Sequence, residues 1–202
     1  TAVATTSFRH GDVGFRREAF ASAVHQVIAV RVTTDVPGGL DVDVSFVRES
    51  GAIAATSDPD SPLGITLRGR TGTTDGVAFV AAARLELDGG TAENRGDRLC
   101  IRGANGFTIR IAASTDMLGT DPEATVAATL DAADAMTFDD LREAHVTEYR
   151  AWFSRVSLEL RDAVPAAKDP KAQPTDARLT ALRNGTPDAG LHALAFQYAR
   201  YL

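Results

Sequence analysis

The period of the hydrophobic pattern changes after Ser114, and that change restricts the folds open to this chain. From Thr1 to Ala113 the dominant period of apolar residues is two, the spacing of strands with one buried face. Leu40, Val42, Val44 and Phe46 alternate with Asp41, Asp43 and Ser45. Val77, Phe79, Ala81, Ala83, Leu85 and Leu87 share one face of a longer strand, with Arg84 and Glu86 on the other. Ile28, Val30 and Val32 form a further stripe, as do Phe107, Ile109, Ile111 and Ala113, and residues 63–70 and 98–102 are shorter candidates. Turn residues fall between them: Pro37-Gly38-Gly39, Asp58-Pro59-Asp60, Asp88-Gly89-Gly90 and Asn105-Gly106. Strands in this rhythm predict an antiparallel β-sandwich.

After Ser114 the period lengthens. Asp121-Pro122-Glu123 supplies an N-cap, a proline in the first turn and an acid beside it, predicting a helix through Ala135. Thr137 and Asp140 form a capping-box-like pair. Phe138, Leu141, His145, Tyr149, Trp152 and Val156 then recur at steps of three and four, one face of an amphipathic helix. Val156, Leu158 and Leu160 alternate again and suggest a short strand. Residues 163–174, with three prolines, read as an extended linker. Pro174-Thr175-Asp176 starts a short helix to Leu182, Asn184-Gly185-Thr186-Pro187 breaks it, and Asp188 opens a last helix carrying Leu191, Leu194, Ala195, Tyr198 and Leu202.

Composition narrows the function classes. Hydrophobic residues make up 44% of the 202, enough to bury a core. The charge is −6, with no basic stripe interleaved with aromatics, which argues against a nucleic-acid partner. The longest apolar run, Val77 to Ala83, is far short of the roughly 20 residues of a membrane helix. No signal peptide is visible, and the compartment, secreted or cytoplasmic, stays open. The single Cys100 cannot form an internal disulfide and reads as a small buried strand residue.

No nucleophile elbow, phosphate loop or paired-cysteine zinc spacing is present. His10, His25, His145 and His192 lie far apart. His145 and Glu148 could share a helix face, yet one such pair is a weak metal signal. Asp139, Asp140 and Glu143 sit in the first turns of a helix, where the dipole favours acids. Arg95-Gly96-Asp97 matches an adhesion tripeptide but reads as a turn between strands. Asn184-Gly185-Thr186 matches a glycosylation sequon but is followed by Pro187 and reads as a helix break. Asp58-Pro59-Asp60-Ser61 reads as a solvated turn. The residues alone therefore give no catalytic residue, no metal site and no cofactor.

Several segments together resemble the glycoside hydrolase family of 1,2-α-L-fucosidases and α-L-galactosidases, family 95. Arg17-Glu18-Ala19-Phe20-Ala21-Ser22 with Gln26-Val27-Ile28-Ala29-Val30-Arg31 is similar to a strand pair of its N-terminal domain. His145, Tyr149, Trp152-Phe153 and Arg155-Val156-Ser157-Leu158 resemble its helical connector. Pro174-Thr175-Asp176 with Arg178-Leu179 resembles the approach to the catalytic domain. Asp188, Leu191, Phe196-Gln197-Tyr198 and Arg200-Tyr201-Leu202 resemble the first barrel helix. His25 and Ala199 depart from the family's usual Asp and Gly.

The resemblance implies a parent with an N-terminal β-sandwich of the super-β-sandwich type, a helical connector, an (α/α)₆ barrel and a C-terminal β-domain. Such a parent cleaves terminal α-1,2-linked L-fucose with inversion, using a Glu acid and a water activated by Asn and Asp, all from the barrel beyond Leu202. Both ends are accordingly expected to be cut, and the chain alone to be inactive. The implied division is 1–118 as the latter part of the sandwich, 119–162 as connector, 163–186 as linker and 187–202 as the start of the barrel. An oligosaccharide or glycoconjugate would be met through the parent, with the β-domain packed on the barrel. The alternative is a free-standing carbohydrate-binding sandwich, a class that usually displays aromatic rings on an exposed sheet, whereas aromatics here are 6%. An incomplete sandwich is expected either to self-associate or to fold its helices across the open face, with Phe138, Leu141 and Trp152 toward the sheet.

Overall fold

The structure is a computed structural model that describes residues 1–49, 52–57, 61–72, 75–160 and 172–201. It divides into two compact units, Thr1–Glu148 and Tyr149–Leu202. Among the described residues the first unit holds ten strands. They are β1 (Ala4–His10), β2 (Val13–Ser22), β3 (Val27–Thr34), β4 (Leu40–Ser45), β5 (Ala52–Ser57), β6 (Gly64–Arg70), β7 (Ala78–Asp88), β8 (Thr91–Asn94), β9 (Arg98–Ala104) and β10 (Gly106–Thr115). Seven form one antiparallel sheet in the order β1-β2-β3-β10-β7-β6-β5, and β4-β9-β8 form a second. The helices are α1 (Pro122–Asp134), α2 (Phe138–Phe153), α3 (Thr175–Arg183) and α4 (Ala189–Tyr201).

The register explains how the large sheet buries both faces. Ile109 lies opposite Val30 and Leu85, and Arg110 opposite Ala29 and Arg84. Odd positions of β7 and β10 therefore share one face and even positions the other. On the odd face Ala83, Leu85, Phe107 and Ile109, with Ile65 of β6, close a core with Leu40, Leu99, Ile101 and Ala104 of the small sheet. This is the predicted sandwich, mainly β with helices after it. The small sheet covers only part of that face: Ile28 is 46% exposed, and Ala21 and Ala113 are exposed.

The even face carries a second core, in which Val80, Ala82, Ala29, Ala112 and Phe20 meet Val126, Leu130 and Ala133 of α1 and Phe138 and Leu141 of α2. Both helices start as their sequence predicts. Asp121 accepts from the Glu123 amide (2.9 Å), with Pro122 in the first turn. Thr137 Oγ1 accepts from the Asp140 amide (3.1 Å), and Asp140 accepts from the Thr137 amide (3.2 Å).

Between core and solvent the even face bears arginines aimed at helix carboxylates. Arg110, 4% exposed, donates to Glu86 (2.7 Å) and to the Met136 carbonyl (2.9 Å). Arg84 bridges Asp131 (2.7 Å) and Asp134 (2.8 Å), and Arg68 forks onto Glu123. Arg31 reaches both Glu18 and Asp139 and lies over the Phe138 ring at 4.2 Å. Burial acts to raise the Glu18 carboxyl, and its bonds from Arg16 and Arg31 outweigh that and hold it below the ordinary range.

The structure corrects two expectations about the helices. They cover the even face, so Phe138 and Leu141 pack on Val80 and Ala82 rather than on the Val77–Leu87 stripe, which the small sheet partly covers instead. Trp152 is 60% exposed, with the Arg155 guanidinium 4.0 Å over its ring. The helix period is right, but only Phe138, Leu141 and His145 of its stripe are buried. Residues 156–160 form no strand: among the described residues no neighbour pairs with them, and the Val156 carbonyl accepts from Arg200. The residue 163–174 linker falls largely outside the described residues.

One turn has no freedom of sequence. Gly89 and Gly90 have φ of 68° and 66°, and a Cβ on Gly90 would collide with the Arg102 carbonyl and Gly103 backbone. Leu141, fully buried, is expected to cost about 2–5 kcal/mol on change to alanine. Trp152→Ala should stay within about 0.5 kcal/mol, as for surface sites. Urea unfolding midpoints of the two variants check both values.

Candidate functional site

The residues singled out in the sequence are not brought together. His145 is buried, stacks on Phe20 at 5.0 Å and donates from Nε2 to the Ala2 carbonyl (3.0 Å), a packing role. Glu148, half-buried, makes no metal group with it, and among the described residues no three His, Cys, Asp or Glu side chains gather as one. His10 and His192 are exposed and His25 is half-buried. Asp139 is held by Arg31, and Asp140, held below the usual carboxylate range by the Thr137 hydroxyl, closes the capping box. Glu143 is exposed.

The short motifs have local explanations. Arg95-Gly96-Asp97 forms the tip of the β8–β9 hairpin, with Arg95 bonded to Glu93 (3.0 Å) and Asp97 to Arg98 (3.0 Å). Asn184 is the C-cap of α3 and Gly185 has φ of 88°, a helix stop. Cys100 is buried beside Asp43. Asp58, Pro59 and Asp60 lie outside the described residues.

An open depression of about 460 Å³ lies over the ends of β1, β2 and β3. Ser7 is opposite Arg16 and Arg9 opposite Gly14, so these residues share the even face, and Phe8 and Phe15 share the other. Asp35 accepts from the Gly14 amide (2.7 Å) and from Arg9 (3.1 Å), in space that a Cβ on Gly14 would fill. The Phe8–Phe15 stack, 5.2 Å between centroids, is thus on the far side of the sheet from the polar groups. A sugar-binding surface combines rings and polar groups on one side; this corner does not.

The buried charge of the second unit lies between α3 and α4. Arg178 and Asp188 are each under 9% exposed and form a two-pronged pair, both bonds 2.9 Å. Asp188 also accepts from the Leu191 amide (2.8 Å), which caps α4. The bonds from Arg178 come first in holding the Asp188 carboxyl below its usual range. Sequence reasoning marked both residues as family-like without giving them a role, because nothing in one dimension pairs positions ten apart across a helix break.

Helix α4 packs by its polar side. Arg200 donates to the Phe153 carbonyl (2.6 Å), the Val156 carbonyl (2.7 Å) and Gln197 (2.7 Å), while Leu194, Tyr198 and Tyr201 are exposed. Of the apolar residues read from the sequence on this helix, Leu191 is buried and Leu194, Ala195 and Tyr198 are exposed, and Leu202 lies outside the described residues.

Residues 1–120 match the family description "Glycosyl hydrolase family 65, N-terminal domain", and residues 137–202 match "Glycosyl hydrolase family 95 catalytic domain". The chain belongs to the glycosyl hydrolases through its family 65-type N-terminal domain, and its residues 137–202 are similar to the family 95 catalytic domain. It is similar to Alpha-L-fucosidase 2 of Arabidopsis thaliana, 27% identical over 231 aligned residues that cover all of this chain. The chain spans 27% of that relative's length. A solved structure from the human microbiome with a kojibiose phosphorylase designation matches with a TM-score of 0.51 at 11% identity, over 75% of this chain and 23% of the other. That likeness supports the fold alone.

The Arg178–Asp188 pair gives two expected outcomes. Asp188→Ala should cost about 3–5 kcal/mol by removing the carboxylate that accepts two Arg178 bonds inside this buried pair. Because the folded carboxyl titrates below its unfolded value, the pair's stabilisation is present above about pH 4 and is lost as pH falls through the lower folded value. Helical circular dichroism followed during acid titration should show this loss in the native chain and a flatter profile in Asp188→Asn.

Proposed function

We propose that this chain is a non-catalytic N-terminal part of a glycoside hydrolase whose parent removes terminal α-1,2-linked L-fucose, or a closely related sugar, with inversion. The observation that carries this reading is the order of the two family matches, an N-terminal β-domain and then catalytic-domain sequence, within one chain. The Alpha-L-fucosidase 2 relative, aligned over the whole chain, supports the sugar.

The chemistry agrees. Inversion needs a general acid and an activated water on opposite faces of the sugar, with the two groups about 6.5–9.5 Å apart. The carboxylates along the even face of the sheet are engaged otherwise: Glu18 and Asp139 with Arg31, Asp131 and Asp134 with Arg84, Glu123 with Arg68. In this reading residues 1–118 belong to the sandwich, 119–162 connect, 163–186 link and 187–202 begin an (α/α)₆ barrel. The exposed Leu194, Tyr198 and Tyr201 of α4 then belong to that barrel's packing surface.

The purified chain should show no turnover of a 2′-fucosylated oligosaccharide above a buffer blank. The open reading frame that encodes Leu202 should continue into further family 95 sequence, and protein made from that longer frame should release fucose with inverted anomeric configuration by proton NMR. Turnover by the 202-residue chain, or a stop codon directly after Leu202, would overturn the reading.

A further inference from the structure

Two Asn-Gly dipeptides stand in this chain, Asn105-Gly106 and Asn184-Gly185, and the fold treats them differently. Asparagine is among the thermolabile side chains, and a following glycine lacks the Cβ that would shield the next backbone nitrogen from its carboxamide. The half-buried Asn105 side chain is held at both ends: Oδ1 accepts from the Gly38 amide (3.0 Å) and Nδ2 donates to Asp88 (3.3 Å). Gly106 is buried at the start of β10. By contrast Asn184, Gly185 and Thr186 are all exposed, and among the described residues no hydrogen bond holds the Asn184 carboxamide. Backbone restrains this turn instead. The Gly185 amide donates to the Leu182 carbonyl (3.0 Å) and the Thr186 amide to the Ala181 carbonyl (3.0 Å), a helix-ending pair of bonds with Gly185 in the left-handed region at φ 88°. The buried Arg178–Asp188 pair, both bonds 2.9 Å, ties the two sides of the turn together.

We infer that Asn184 is a site of self-modification, an intramolecular deamidation to aspartate and isoaspartate that the Arg178–Asp188 pair holds in check. The nucleophile is the Gly185 nitrogen, which reaches the carboxamide only when its bond to Leu182 opens, a local opening of the turn. That nitrogen gives up its proton and attacks the Asn184 carboxamide carbon. A new C–N bond closes a cyclic imide, the bond to Nδ2 breaks, and Nδ2 takes up a proton and leaves as ammonia. Water then adds to the imide and opens it at either carbonyl. One opening leaves an ordinary aspartate, and the other routes the main chain through the side-chain methylene, an additional atom. Either product sets a carboxylate at the C-cap of α3, where the helix dipole disfavours negative charge. The lengthened chain also shifts the Gly185 and Thr186 amides away from Leu182 and Ala181, and the approach of Asp188 to Arg178 depends on that turn. Modification thus loosens the clamp that slowed it. None of this chemistry requires the hydrolase reading.

Peptide mapping by mass spectrometry of the 202-residue chain, aged in mildly alkaline buffer, reads the reaction. Asn184 should gain the mass of amide-to-acid exchange, with isoaspartate in excess, while Asn105 stays unchanged. In concentrated urea both sites should convert at similar rates. Asp188→Ala and the milder Arg178→Lys should each speed conversion at Asn184 several-fold, up to the urea rate and not beyond, and leave Asn105 untouched. The aged native chain should lose part of its helical circular dichroism, and Asn184→Gln aged alongside should keep it. Asn184 that stays intact in the folded chain while converting in urea overturns the inference, as does equal conversion of Asn105 in the folded chain. A difference between the two sites that persists in urea overturns it too, by placing the cause in local sequence. Conversion indifferent to both pair variants removes the role of the Arg178–Asp188 clamp.

Discussion

The first unit depends on a row of guanidinium groups that stand on a β-sheet and reach into a helical layer. A sheet face normally offers a neighbouring layer apolar side chains alone. Here β3, β6, β7 and β10 each contribute an arginine to the even face, and every one meets a carboxylate. Arg110 is the most buried, and it also bonds the Met136 carbonyl just beyond the end of α1. A charge so far from water is tolerable only when it is paired, and Arg110 is paired through one terminal nitrogen with Glu86 and the Met136 carbonyl while its Nε stays without a hydrogen-bond partner among the described residues. The apolar core of Val80, Ala82, Leu130 and Leu141 supplies the attraction, and the arginines fix the angle and register at which α1 lies on the sheet.

How far this was legible in the sequence varies with the kind of signal. Period-two alternation located β3, β4, β7 and β10, because each repeats an apolar choice on one face several times, while β6 and β9, buried over most of their length, were legible only as shorter candidates. β5 and β8 are short, and β1 is exposed throughout, so none had a pattern to read. The alternation in β7 was read correctly and interpreted too narrowly. Val80 and Ala82 looked like the outward side of a two-faced strand, but α1 covers them, so the strand is buried on both faces. One-sidedness is a property of the neighbouring layer, which period alone does not reveal.

Helices show the same limit. Capping signals marked the starts of α1 and α2 because the Asp121, Thr137 and Asp140 interactions are local. The apolar stripes of α2 and α4 were right as stripes, yet Trp152 and Tyr198 are exposed. What decides the face a helix buries is the competing offer of its neighbours, and for α4 the carbonyls of Phe153 and Val156 draw Arg200 inward. Likewise the Arg178–Asp188 pair joins two segments that looked family-like for no visible reason. Only the fold around residues 184–187 turns that likeness into a buried ion pair.

The Gly89-Gly90 turn gives this domain an uneven tolerance of change. Left-handed backbone and the nearby Arg102 carbonyl together exclude any side chain at Gly90, so drift in the gene can touch that codon only silently. A few residues on, the Arg95–Asp97 tip projects into solvent with nothing against Gly96. Insertions, tags or a grafted peptide would be absorbed there without reaching either core. The short strand β8 therefore has at its entry the position where the lineage is least free to vary and at its exit the position where an engineer could most freely write.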